Sequence, residues 1–118
     1  MKTIGPKLPF PLSPGVLSQG FVFLSGQVPM QADGSIPEGI TAQTDLVIDH
    51  IERLLAEAGS SLDKVVKATV FLVDGDDFAA FNETYAKRMP SPAPARSTII
   101  CKLAIPALVE IEVIAEAG

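Results

Sequence analysis

The pattern of apolar and polar residues along this chain predicts five strands and two helices. Alternating runs predict strands at residues 16–19, 21–25, 65–73, 96–103 and 108–115, and helical spacing predicts helices at residues 40–58 and 77–89. Residues 1–15 are rich in proline, which predicts an extended or edge segment. Elements in this order predict an α+β domain, with both helices packed on one face of a mixed sheet.

Each predicted helix presents one apolar face to a core. In the first helix the apolar positions are Ile40, Val47, Ile51, Leu54, Leu55 and Ala58. Gly59 follows them and predicts a C-cap. In the second helix they are Phe78, Phe81, Tyr85 and Met89, which we interpret as core rather than as a stacking platform. Asp76 or Asp77 is predicted to cap its N-terminus.

Alternation also assigns strand side chains to the two faces of the sheet. The strand at residues 65–73 directs Val66, Ala68, Val70 and Leu72 to one face. Residues 105–107 join the last two strands and predict a hairpin. In that hairpin one side carries Arg96, Thr98, Ile100, Glu110 and Glu112, and the core side carries Val109, Ile111 and Val113.

Arg96 and Glu110 are the strongest candidates for chemistry. A guanidinium fixed beside a carboxylate, in mostly apolar surroundings, predicts a pocket for a small anionic substrate. The alternative is a cross-strand ion pair at the sheet surface, which contributes less than about 1 kcal/mol when exposed. The residues alone leave both interpretations open.

Composition sets the class of protein. The chain has 118 residues, of which 47% are hydrophobic and 19% charged, which predicts one folded domain spanning residues 1–118. Nine basic residues are scattered and the net charge is −5, which disfavours nucleic-acid binding. Residues 1–6 lack the apolar core of a signal peptide, and no apolar run is long enough for a membrane helix, so we expect a cytoplasmic protein.

Three other residue types have ordinary explanations. Cys101 lies in an apolar strand pattern and is interpreted as a small core residue. His50 has no second histidine to share a metal or a proton and is interpreted as a solvated helix residue. Asp74, Asp76 and Asp77 lack the glutamate that a calcium loop requires, so turn and cap roles are favoured.

Four segments resemble the RidA (YjgF) reactive-intermediate deaminase family. They are Ser-Gly-Gln at residues 25–27, Phe-Asn-Glu-Thr-Tyr at 81–85, Ala-Arg-Ser-Thr at 95–98 and Leu-Val-Glu-Ile-Glu at 108–112. The resemblance implies a chorismate-mutase-like α+β fold and a homotrimer with active sites in the clefts between subunits. It also implies an enzyme that hydrolyses reactive 2-imino acids, and their enamine tautomers, to 2-keto acids and ammonia.

The resemblance also implies roles for individual residues. Arg96 corresponds to the arginine that binds the substrate carboxylate, and Glu110 to the glutamate that handles water. Backbone contacts to the substrate fall on Gly26 and Thr98. Asn82 and Ser25 are expected near the cleft. An imine is already electrophilic, so this chemistry requires no metal and no cofactor.

One position departs from the family pattern. Leu12 stands where members of the archetypal subgroup carry a tyrosine, which bears on substrate range and rate. Two other functions stay open. The first is an endoribonuclease or translation inhibitor, a label that members of this family often carry, and the second is a non-catalytic module that binds small carboxylates. The expected partners are a small imino, enamino or keto acid and the other copies of the chain in a homotrimer, with no nucleic acid and no membrane.

Overall fold

Six strands form one mixed sheet, and two α-helices cover one of its faces, in the computed structural model, which describes residues 1–118. The strands are β1 (Lys2–Ile4), β2 (Gly15–Ser18), β3 (Phe21–Leu24), β4 (Val65–Leu72), β5 (Ala95–Ile100) and β6 (Val109–Glu116), and the helices are α1 (Ile40–Glu57) and α2 (Phe78–Arg88). Their order in the sheet is β1-β2-β3-β6-β4-β5. The predicted fold class is therefore confirmed. Neither helix has the length and apolar character needed to cross a membrane.

Alternation along β6 separates the two faces of the sheet. Val109, Ile111 and Val113 are buried against the helices, as predicted. Glu110 and Glu112 therefore point to the face that the helices leave uncovered. The matching face of α1 buries Val47, Ile48, Ile51, Leu54 and Leu55. A fully buried aliphatic side chain contributes about 1.5–3 kcal/mol, so this cluster holds α1 on the sheet.

The end of α1 matches the prediction. The helix ends at Glu57, and Gly59 adopts a φ of 77° with its N–H donating to the Ala56 carbonyl at 3.0 Å. Glycine adopts this left-handed conformation without steric cost, which explains why it stops the helix here.

β4 contains a bulge that the sequence pattern did not predict. The register against β6 shifts between Val65 and Lys67. Val65 is consequently buried, whereas Val66 is 39% exposed. The prediction that Val66 shares the buried face of Ala68 and Val70 is wrong, because an extra residue in one strand reverses the alternation before it.

Asp77 occupies the N-cap position of α2, as predicted, but its side chain makes no capping hydrogen bond. Neither Asp76 nor Asp77 caps the helix with its side chain; instead the Asp74 carboxylate accepts a hydrogen bond from the Asp76 N–H at 2.9 Å and orders the preceding 3-10 turn. Phe78 is 42% exposed and does not belong to the buried stripe, which consists of Phe81, Thr84 and Tyr85.

The predicted hairpin between the last two strands is wrong. β4 lies between β5 and β6 and pairs parallel with β5 and antiparallel with β6. The helix α2 returns the chain to the starting end of β4, which permits the parallel pair. β5 ends at Ile100, and Cys101 lies half-buried beyond it rather than in a strand, with its N–H donating to the Leu72 carbonyl at 2.9 Å.

Arg88 ties the two helices together. From the end of α2 its guanidinium binds three acidic side chains of α1, at 3.1 Å to Asp45, 2.7 Å to Asp49 and 3.7 Å to Glu52. The arginine also donates to the Asp45 carbonyl at 3.1 Å. These contacts use much of the negative charge of α1.

Candidate functional site

Arg96 lies on the helix-covered side of the sheet. Its β4 partner is Ala68, which is fully buried beneath the helices. The guanidinium carbon lies 4.9 Å from the ring centre of Tyr85, 5.6 Å from that of Phe81 and 5.9 Å from that of Phe78. Aromatic faces attract cations, so α2 supplies a surface that holds the guanidinium in place. These three rings are therefore a stacking platform, and two of them are core residues as well.

Two other predicted site residues lie near Arg96. Thr98 is two residues further along β5 and therefore shares its face. Asn82 lies on α2 four residues after Phe78 and three before Tyr85, which places it on the helix stripe that meets the guanidinium. We call Arg96, Thr98 and Asn82 the arginine cluster.

Arg96 has no acidic partner. The four ion pairs of the structure all involve Lys87 or Arg88. The alternative that Arg96 belongs to a cross-strand ion pair is therefore excluded. A guanidinium held against aromatic rings, with no carboxylate of its own, is suited to binding an anionic ligand.

Glu110 lies on the opposite face of the sheet. It pairs with Phe71 of β4, three residues from the Ala68 position that pairs with Arg96. Because strand side chains alternate, positions 68 and 71 face opposite sides. The prediction that Arg96 and Glu110 lie on facing strands, on the same side, is wrong. One chain does not bring its candidate arginine and glutamate together.

Gly26 lies against Glu110, and Ser25 lines the same cleft as Glu110. After β3 the chain turns alongside β6, where Gln27 exchanges two backbone hydrogen bonds with Ile111 at 2.8 and 3.1 Å. This pairing places Gly26 against the Glu110 side chain. The Ser25 hydroxyl donates to the Ser13 carbonyl at 2.6 Å and fixes the N-terminal segment. We call Ser25, Gly26 and Glu110 the glutamate cluster.

Burial alters the acidity of Glu110. The partly apolar surroundings disfavour the ionised carboxylate, and the nearby Glu112 carboxylate adds repulsion, so the pKa of Glu110 is raised above its usual value of 4.5. A carboxyl group with a raised pKa both accepts and returns a proton more readily near neutral pH.

The glutamate cluster opens into a cleft of about 750 Å³. The proline-rich N-terminal segment, the stretch after β3 and α1 enclose it. Its apolar wall includes Leu8, Phe10, Leu12, Met30 and Ile105. Leu12 thus lies in the same cleft as Glu110, and it adds apolar surface there.

The cleft also contains residues that the sequence analysis did not assign to a site. His50 and Arg53 of α1 line it. His50 lies on α1 and is half-exposed, and its Nε2 lies 2.9 Å from the Met30 carbonyl oxygen, so this partly solvated residue is also fixed to the cleft wall. Their spacing of three residues on a helix was the available signal, because it places both side chains on one face.

Known proteins resemble this chain along nearly all of its length. The sequence model of a family described as Endoribonuclease L-PSP matches residues 6–117. The protein mmf2, mitochondrial, of Schizosaccharomyces pombe is 45% identical over 75% of this chain and 71% of its own. RidA from the Antarctic bacterium Psychrobacter sp. has a TM-score of 0.92 and 33% identity, covering 98% of this chain and 99% of its own. E. coli TdcF with bound serine has a TM-score of 0.91 and 31% identity, covering 100% of both chains.

The contact between Gly26 and Glu110 can be tested with a double-mutant cycle. A Cβ added at Gly26 would overlap the Glu110 carboxylate, with the carboxyl carbon at 2.8 Å. We expect Gly26→Ala to force the Glu110 side chain out of its rotamer and so to lower the free energy of unfolding by about 0.5–1.5 kcal/mol. In a Glu110→Ala background the cost should fall below about 0.5 kcal/mol, because the obstacle is gone. Urea unfolding at a fixed protein concentration measures both, and an undiminished cost in that background would contradict the contact.

The raised pKa of Glu110 predicts that removal of the Glu112 charge changes how Glu110 titrates. Folding disfavours the ionised form of Glu110, so its protonation contributes to the free energy of unfolding. That contribution is fully present below pH 4.5 and is lost as the pH rises through the raised pKa of the folded state. Glu112→Gln removes the like charge and should move the Glu110 pKa back towards 4.5, measured by carboxyl-carbon NMR titration. Glu83→Gln on α2 makes the same charge change and should leave the titration unmoved; equal shifts in both variants would refute the local cause.

Proposed function

This chain belongs to the YjgF/RidA family, whose sequence model matches residues 6–117, and on that basis we propose that it hydrolyses 2-imino acids to 2-keto acids and ammonia. The observation that carries the proposal is that the chain holds both a stacked arginine with no acidic partner and, on the opposite face of the sheet, a carboxyl group of raised pKa. The first suits the carboxylate of an imino acid, and the second suits the proton transfers of its hydrolysis.

Arg96 binds the substrate carboxylate in this proposal. Its guanidinium can form two parallel hydrogen bonds with a carboxylate, and such pairs fix orientation as well as position. The rings of Phe81 and Tyr85 limit its movement. The substrate C2 carbon is thereby held where a water can reach it, which reduces the entropic cost of the reaction. Thr98 and Asn82 adjoin the bound substrate.

Glu110 carries the proton transfers. As carboxylate it accepts a proton from water while the water oxygen bonds to C2 and the imine π electrons move to nitrogen. Glu110 returns that proton to the nitrogen, so that the tetrahedral carbon bears a hydroxyl and an amino group. Glu110 then accepts the hydroxyl proton and passes it to the amino nitrogen, the C–N bond breaks to release ammonia, and the O–H electron pair forms the keto C=O bond. For an enamine, protonation at carbon by Glu110 comes first.

A complete site requires two copies of the chain. The arginine and glutamate clusters lie on opposite faces of one sheet, so a single substrate does not reach both within one subunit. The uncovered face also exposes Phe21, Phe23 and Ile99, to 39%, 43% and 43%. Burial of that apolar surface favours association. We propose a homotrimer in which each site combines the arginine cluster of one subunit with the glutamate cluster of its neighbour.

The bound serine of TdcF supports this class of ligand, since serine carries a carboxylate beside an amino-bearing carbon. Bound serine is equally compatible with a second function, a binding module that holds small carboxylates without turnover.

Endoribonuclease activity, which the family description names, has less support. The chain's single histidine has one nitrogen 2.9 Å from a backbone carbonyl and the other 3.0 Å from Arg53, so neither is free for proton transfer to RNA. A cytoplasmic location stays a prediction; the fission-yeast relative is named mitochondrial.

Imine hydrolysis tests the proposal directly. An amino-acid oxidase generates 2-imino acids in solution, and their decay is followed with and without this protein. We expect the wild type to accelerate the decay and Arg96→Ala to reduce the rate at least about 100-fold, since it loses charge-assisted contacts to the substrate. Lys87→Ala, a change of an exposed side chain on α2 that does not contact the Arg96 guanidinium in this arrangement of rings, is the control. Full activity in a folded Arg96→Ala variant would refute the assignment, and tight keto-acid binding without turnover would favour the binding module.

The shared site predicts complementation between inactive variants. Arg96→Ala and Glu110→Gln subunits should each be inactive alone. After unfolding and refolding together in equal amounts, random assembly should restore about a quarter of the sites, which take Glu110 from one variant and Arg96 from the other. Light scattering confirms the trimer in the same samples. A monomeric protein, or mixed trimers with no recovered activity, would rule out the two-subunit site.

A further inference from the structure

The cleft beside Glu110 contains a cation that the proposed hydrolysis does not use. Arg53 lines the wall formed by α1, while Glu110 approaches from β6. No other lysine or arginine lines this cleft. The cleft of one chain has a volume of about 750 Å³, which leaves space beyond Glu110 for a longer substrate side chain.

Arg53 lacks an acidic partner because its neighbours are engaged elsewhere. On a helix the carboxylates four residues before and after an arginine usually neutralise it, and here these are Asp49 and Glu57. Asp49 binds Arg88 at 2.7 Å. The Glu57 carboxylate accepts a hydrogen bond from the Gly5 backbone N–H. Tertiary contacts on both sides of Arg53 therefore leave its charge uncompensated.

His50 holds the guanidinium in position. The Arg53 Nη2 lies 3.0 Å from His50 Nδ1, and His50 Nε2 lies 2.9 Å from the Met30 carbonyl oxygen. In this arrangement Arg53 donates to Nδ1 and the Nε2–H donates to the carbonyl. This chain of hydrogen bonds anchors one edge of the guanidinium to the cleft wall and leaves its other N–H groups free. A positioned donor loses less entropy when it binds a ligand.

We propose that Arg53 binds a second carboxylate, at the end of the substrate side chain, so that the preferred substrates are 2-imino acids with acidic side chains. The inference rests on the proposed hydrolysis. The substrate C2 lies beside Glu110, and the methylene groups of its side chain cross the apolar wall that includes Leu12 and Met30. A carboxylate at the end of an apolar wall requires a cationic partner, and the exposed guanidinium of Arg53 supplies it.

Calorimetric titration with keto acids, the reaction products, tests the second carboxylate without turnover. The probes are 2-oxoglutarate, its longer homologue 2-oxoadipate, and 5-methyl-2-oxohexanoate, in which an isopropyl group replaces the distal carboxylate of 2-oxoglutarate. We expect at least one dicarboxylate to bind roughly 10-fold tighter than the neutral analogue, the usual effect of a charge-assisted contact. Arg53→Gln should abolish that preference without weakening the neutral ligand, and Arg53→Lys should retain part of it.

Lys87→Gln serves as the matched control, because it makes the same change in net charge on α2, outside the cleft. It should leave the preference intact. Equal affinities for all probes in the wild type, or a preference that survives Arg53→Gln, would overturn the role of Arg53. If the role of Arg53 is overturned in this way but the protein hydrolyses imines with neutral side chains, only this inference fails. If no keto acid binds and no imine is hydrolysed, the proposed function fails with it.

Discussion

The position of β4 between β5 and β6 determines where the candidate site residues lie. β4 is hydrogen-bonded along both edges, and Ala68, Val70 and Leu72 are fully buried under the helices. Its register sets Ala68 beside Arg96 and Phe71 beside Glu110. Since these positions are an odd number of residues apart, the arginine and the glutamate face opposite sides of the sheet. Shifting β5 or β6 by one residue relative to β4 would bury a charged side chain or expose an apolar one. Packing of the sheet against the helices therefore keeps Arg96 and Glu110 on opposite faces.

This separation has a chemical consequence. If Arg96 and Glu110 were neighbours on one face, they would form an ion pair, the pKa of the glutamate would fall, and the guanidinium would be occupied. Instead, aromatic rings hold Arg96 with no carboxylate nearby, and partial burial raises the pKa of Glu110. Each group is kept in the state that the proposed hydrolysis requires. In the site proposed between subunits, the substrate carboxylate binds the guanidinium, which leaves Glu110 of the neighbouring subunit without an ion pair.

Periodicity was enough to predict the helices, the fold class and the inward direction of Val109, Ile111 and Val113. It did not predict strand order, because alternation specifies the face of a residue and carries no information about the neighbouring strand. The predicted hairpin was wrong because alternation does not say which strands pair. The bulge at Val66 was missed because it depends on how β4 pairs with β6, which the local sequence does not specify. The residue pattern selected Arg96 and Glu110, and the resemblance added Thr98, Asn82, Ser25 and Gly26. Only the register divided them into two clusters.

The charges of α1 show how contacts that stabilise the fold can also define the cleft. Asp45, Asp49 and Glu52 bind Arg88 and hold α2, and Glu57 binds the N-terminal segment at Gly5. That segment is the one that carries Leu12 into the cleft. The same contacts remove the acidic neighbours of Arg53, which then remains cationic beside an apolar wall. A helix read alone would pair Arg53 with Asp49 or Glu57, so the free charge is a property of the tertiary structure and not of the local sequence.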